Sequence, residues 1–201
     1  LKAALDGTIR VADAQVAAAV DAKGVRPNTA MAAEDYLGGP VVQARTIRLI
    51  IETLETIEKR GYVQIPDGKI RDVGDDQIAV EVIPHELTDS LLFTGFKAEI
   101  WMEPGVNRSN LTDNIGAFYR TEPSTRDGRV SLVLGAGNVA SIGPLDAVHK
   151  LFVEGQVCLL KMNPVNDYLG PFIEKSFDML IRDGYMRLAY GGADVGDYLC
   201  Q

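Results

Sequence analysis

The chain has 201 residues and a mass of 21.8 kDa, and 20 Lys+Arg against 28 Asp+Glu give a formal net charge of −8. Hydrophobic residues make up 46% and charged residues 24%, the proportions of an ordinary globular domain, so fibrous and disordered classes are excluded. The acidic balance repels phosphate backbones and argues against a nucleic-acid partner.

Two cysteines cannot build a disulfide framework, and a reducing, cytoplasmic compartment is the expectation. No apolar run nears the roughly 18 residues of a membrane-spanning helix, so no membrane partner is expected. The chain opens on Leu1 without a signal-peptide pattern and stops at Cys200-Gln201, so it reads as a fragment of a longer chain.

Residues 11–22 are alanine-rich and read as helix, closed by Gly24 and Pro27. Residues 34–37 add a turn before Gly38-Gly39-Pro40 interrupts. A longer helix is predicted over 41–59, where Ile47, Ile50, Ile51, Leu54 and Ile57 recur at helical spacing. Residues 62–65 are a candidate strand, followed by a turn at Pro66-Asp67-Gly68. Residues 78–83 read as strand and 86–93 as a short helix. Residues 96–102 alternate Phe96, Ala98 and Ile100 against Lys97, Glu99 and Trp101, as a half-buried strand would. Residues 115–120 are a further candidate strand.

From Arg129 the pattern changes. Val130–Leu134 is a continuous apolar run, expected of a strand covered on both faces. A helix starts near Pro144, with Pro at its first position, and carries Leu145, Val148, Leu151 and Phe152 on one stripe. Val157–Lys161 is a second apolar strand. A helix follows to about Arg182, then a third strand over 186–190, and Gly191-Gly192 opens a last helix through Leu199.

This alternation predicts an α/β fold: a parallel sheet with right-handed crossovers and helices on both faces, Rossmann-like, over residues 129–201. A helical and strand-bearing region, 1–128, precedes it. Ligands of such sheets bind beyond the carboxyl ends of the strands. Those ends carry Gly135, Ala136 and Asn138, then Lys161 and Asn163, then Gly192 and Gly196.

The glycine turn at 191–196 is either a plain strand-to-helix turn or a place where backbone approaches a phosphate. Lys161 either snorkels to solvent or holds a ligand hydroxyl or phosphate. Asn138 is either a turn residue or an amide donor to a developing oxyanion. His85 and His149 lack the partners of a zinc site, and no metal is expected. Cys158, inside an apolar strand, reads as inert core.

The segments Val133-Leu-Gly-Ala-Gly-Asn-Val-Ala-Ser-Ile142 and Gly155-Gln-Val-Cys-Leu-Leu-Lys161, with Pro144, Leu145 and Leu151 between them, resemble the aldehyde dehydrogenase superfamily. So does Ile115-Gly-Ala-Phe-Tyr-Arg-Thr-Glu-Pro123, which is similar to the strand leading into that family's cofactor domain. The specific motifs cover about the last third of the chain.

The resemblance implies oxidation of a small aldehyde with NAD or NADP through a thioester on a catalytic Cys. It implies that Asn138 helps hold the oxyanion and that Lys161 binds the adenosine ribose. Gly192 and Gly196 would lie beside the adenosine and pyrophosphate, and Gly135, Ala136 and Asn163 would line the same cofactor site. The family usually has Pro-Trp before its Asn, where this chain has Ala136-Gly137, and often Glu three residues after its Lys, where this chain has Pro164. Losing that carboxylate removes repulsion against a 2′-phosphate, so neither cofactor is preferred.

The family's catalytic Cys and general-base Glu would fall beyond Gln201, so these residues alone are expected to be inactive. A coenzyme A-dependent acyl-CoA reductase and a non-catalytic nucleotide-binding or structural module are the alternatives, and a homo-oligomer is compatible with each.

Overall fold

Alanine and other good helix formers extend the first helix well beyond the stretch expected: α1 spans Lys2–Ala22 in the computed structural model of the protein, which describes Leu1–Gln201. α2, Ala30–Tyr36, is N-capped by Thr29, whose hydroxyl accepts from Ala32 N at 3.3 Å. The interruption expected at Gly38-Gly39-Pro40 is a π-helical turn, Leu37–Val41, with Gly39 outside helical geometry. α3, Val42–Arg60, follows directly.

The chain forms two compact units. One is the continuous stretch Thr53–Glu122; the other joins Leu1–Glu52 to Pro123–Gln201. The division expected at residue 128 is therefore replaced. Apolar residues of α1 and α3, notably Ala4 and Ile47, share one buried core with the C-terminal sheet.

The Thr53–Glu122 unit holds a three-stranded antiparallel sheet in the order β1-β2-β3: β1 Ile70–Gly74, β2 Gln77–Ile83 and β3 Ala98–Trp101. Asp75 and Asp76, both at positive φ, make the tight β1–β2 turn. α4, Leu87–Leu92, links β2 to β3. α5, Leu111–Asn114, and α6, Ala117–Arg120, follow. Residues 115–120 are thus not the expected strand: Gly116 at φ +60° turns the chain and a single helical turn follows. Residues 62–65 have no strand partner, and β1, too polar to be foreseen, pairs with β2 instead.

The other unit carries the parallel sheet in the order β4-β5-β6: β4 Val130–Leu134, β5 Val157–Lys161 and β6 Met186–Ala189. All three strands run parallel and in register, as expected. α7, Ile142–Phe152, connects β4 to β5. Pro144 stands at its third position, still within the first turn, where its missing N–H costs no intrahelical bond. The long helix expected before Arg182 is broken into a 3₁₀ stretch, Pro164–Leu169, then α8, Gly170–Ser176, and α9, Asp178–Arg182. α10, Ala193–Leu199, follows β6.

Helices do not cover both faces of this sheet. Right-handed crossovers in a sequential strand order place both helical connections on one face. Burial agrees: Val133, Cys158, Leu160 and Met186 alternate onto a buried face, while Val130 and Leu134 on the other are 76% and 54% exposed. The chain is a mixed α/β protein with one parallel and one separate antiparallel sheet. None of its helices is long and apolar enough to cross a membrane.

Candidate functional site

The parallel register sets Leu134, Lys161 and Ala189 side by side at the carboxyl edge of the sheet. Backbone bonds carry the alignment one step further: Gly135 N donates to Lys161 O at 2.8 Å and Met162 N to Ala189 O at 2.7 Å. The loops that follow β4, β5 and β6 therefore leave from one edge, the position at which open α/β sheets bind ligands.

Gly135 is required by this closeness. A Cβ there would stand 3.0 Å from Lys161 O and 3.4 Å from Asn163 N. Ala136 contributes its carbonyl, which accepts from Asn166 Nδ2 at 3.0 Å. Gly137 lies against the Asn163 side chain. Asn163 itself is committed to its own turn, where Oδ1 accepts from Val165 N at 3.1 Å. Asn138 is exposed and its amide makes no hydrogen bond within the chain. Directly after it, Ser141 N donates to Gly38 O at 3.2 Å, so the π-helical turn steadies the far side of this loop.

Lys161 is 7% exposed, and its ammonium has no hydrogen bond or ion pair. The side chain shares a sheet face with Leu134 and Ala189. The packing is of its stem: the ammonium still reaches water, as that of a snorkelling lysine does.

Gly192 is the extended residue preceding α10, and Gly191, at φ +124°, makes the turn. Asp194 crowds Gly192, with Oδ1 3.1 Å from the place of a Cβ. A carboxylate so near the turn opposes a phosphate there. Gly196 lies inside α10 with open space beside it. Gly135, Ala136, Lys161 and Asn163 are thus brought into one linked set, and Gly192 and Gly196 flank the neighbouring strand end.

Sequence reasoning missed the polar ties. Asn166, 6% exposed, bridges the first two loops. Tyr190 donates its hydroxyl to Glu174 Oε1 at 2.8 Å, and burial, with that bond, pushes its phenol up to about 12. Their partners lie 16 and 30 residues away in sequence, beyond the reach of any local motif. Cys158 is core as expected, its thiol pushed up to about 11 by burial, so it is no nucleophile at neutral pH. A surface groove of about 480 Å³ lies elsewhere, between α1 and α8, lined by Gly7, Arg10, Pro171 and Lys175 among others.

The fold is mixed α/β, with Lys161 at the carboxyl edge of its parallel sheet. Compared with known proteins, the chain matches no family model, no curated protein and no solved structure.

Proposed function

We propose that the chain is the cofactor-binding portion of an oxidoreductase that oxidises a small aldehyde with NAD or NADP through a thioester. The observation that carries the reading is Lys161 at the carboxyl end of a central parallel strand, its stem packed and its ammonium reaching solvent with no partner in the chain. An ammonium there supplies up to three donors to ribose hydroxyls.

The residues fit such a group in part. The unpartnered ammonium of Lys161 and the open space beside Gly196 favour it, whereas Asp194 and the seven-residue α10 make a poor phosphate cradle. The ribose end of the ligand is therefore held more firmly than its pyrophosphate. When bound, the nicotinamide supplies hydride acceptance. Asn138, exposed and free, is placed to donate its amide to a carbonyl oxygen gaining charge. Neither cysteine here suits the nucleophile's role: Cys158 is buried and Cys200 has no ion-pair or histidine partner.

The test is titration of the protein with NADH and with NADPH, followed by nucleotide fluorescence. Lys161→Ala removes a charge-assisted hydrogen bond worth about 1.5–3 kcal/mol, so the Kd is expected to rise about ten- to hundred-fold. Unchanged affinity for both nucleotides in the variant, or no binding by the wild type, overturns the assignment. Aldehyde turnover by the longer protein separates the enzyme from a nucleotide-binding module without catalysis.

A further inference from the structure

We propose that the groove between α1 and α8 binds a small phosphate monoester, its phosphate held between Arg10 and Lys175 and its organic body lying against Val11 and Pro171.

The groove follows from helical spacing. Gly7, Arg10 and Val11 share one face of α1, and Pro171, Glu174 and Lys175 share one face of α8. The helices close on each other at Gly7, where a Cβ would stand 2.7 Å from Ser176 O. The space beside that contact is about 480 Å³, the size of a small-molecule site. A recess of about 160 Å³ adjoins it, and Gly7, Arg10 and Lys175 line both.

The free groups of this groove are cationic. Arg10 and Lys175 are exposed and make no hydrogen bond or ion pair within the chain. The two carboxylates that share the groove each have a partner already. Glu174 accepts from the Tyr190 hydroxyl at 2.8 Å, and Asp178 pairs with Arg182 at 3.4 Å. In a chain of net charge −8, two unpaired cations lining one groove reverse the sign locally and favour an anion there.

A third donor stands in the recess. Ser176 lines it and is 3% exposed, and its hydroxyl has no hydrogen-bond partner. A buried hydroxyl left unpaired is uncommon, and an acceptor oxygen entering the recess would satisfy it.

This donor set selects the ligand. A guanidinium, an ammonium and a hydroxyl all donate, and the first two are charged. A phosphate monoester answers with nearly two negative charges and three acceptor oxygens, two of which suit the arginine fork. A carboxylate carries one charge and two oxygens, and leaves a donor unanswered. Val11 and Pro171 give the organic body an apolar wall.

Isothermal titration calorimetry of the intact chain with phenyl phosphate, inorganic phosphate and benzoate tests this. Phenyl phosphate is expected to bind at one site, more tightly than inorganic phosphate, and benzoate about tenfold more weakly or worse. Arg10→Gln and Lys175→Gln should each raise the Kd for phenyl phosphate about tenfold, as loss of a charge-assisted hydrogen bond does. Ser176→Ala should raise it about threefold while leaving the thermal unfolding midpoint no lower, because the hydroxyl it removes has no partner in the free chain. A hydroxyl that served only the fold would move the midpoint and not the affinity. Lys161→Ala should bind phenyl phosphate as the wild type does, which separates this site from the proposed nucleotide site. No binding of phenyl phosphate by the wild type, unchanged affinity in both cation variants, benzoate bound as tightly as phenyl phosphate, or loss of binding in Lys161→Ala overturns the proposal.

Discussion

At the scale of single residues, burial separates groups that the sequence leaves alike. Lys161 and Lys97 both sit beside apolar residues, yet one is 7% exposed and the other lies in the open. Strand position makes Lys161 visible in the sequence, but only the packed sheet shows that its ammonium lacks a partner. The two cysteines divide in the same way. Cys158 is buried, with its thiol pushed up from 9.0 to about 11, whereas Cys200 is exposed. Maleimide at neutral pH is expected to modify Cys200 and spare Cys158 until denaturant is added, as mass spectrometry of the labelled peptides will show. Equal labelling in the folded chain contradicts the burial. The linkage has a defined sign. Between pH 9 and about 11 the folded chain keeps a thiol proton that the unfolded chain has released, so this group's contribution to stability falls as pH rises through that window.

At the scale of elements, glycine acts through its surroundings. Gly7 lies in the middle of α1, where glycine is unfavourable by roughly 1 kcal/mol relative to alanine. The structure explains the choice: a Cβ at Gly7 would stand 2.7 Å from Ser176 O and 2.8 Å from Ser176 Cα, both backbone atoms of α8. Backbone cannot yield as a side-chain tip does, and overpacking of this kind costs about 1–3 kcal/mol. Gly7→Ala is therefore expected to destabilise by about 1–2 kcal/mol despite the better propensity. Gly196→Ala, in α10 with nothing within 4 Å, should stabilise by up to about 1 kcal/mol. Urea denaturation of both variants checks the pair, and a Gly7→Ala chain as stable as wild type would refute the close contact.

The same dependence on surroundings limits what a strand or helix pattern reveals. The runs Val130–Leu134 and Val157–Lys161 are recognisable because their apolar content exceeds any local alternative. Ile70–Gly74 is not, since Arg71 and Asp72 hide a strand that depends on β2 for its existence. In residues 115–120 the apolar content is real, but Gly116 at positive φ turns the chain.

At the scale of the whole molecule, the boundary suggested by the chain order is not the boundary of the core. Residues 129–201 contain every strand of the parallel sheet and most of the candidate site, so the sequence presents them as a segment of their own. Their buried side chains contradict this. Ile173, Phe177, Leu160 and Met186 share one cluster with Ala4 and Ile47, and Leu1, Leu5, Ile50 and Ile51 pack against it. That complement comes from the far end of the chain, and no periodicity within a segment can announce a partner more than a hundred residues away.

A fragment of residues 129–201 would lose α1 and the start of α3, exposing the face of α8 that meets α1. With about 70 residues and one face of its core uncovered, it falls in the size range where a single core barely offsets chain entropy. It is expected to show no cooperative thermal transition by circular dichroism and to bind a hydrophobic dye. The intact chain should melt cooperatively and bind little dye. If the fragment melts as sharply as the intact chain, the N-terminal helices are accessory and the core closes without them. If it regains a cooperative transition only when a peptide of residues 1–60 is added, the discontinuous core is the folding unit, and the lysine edge depends on helices that lie nowhere near it in sequence.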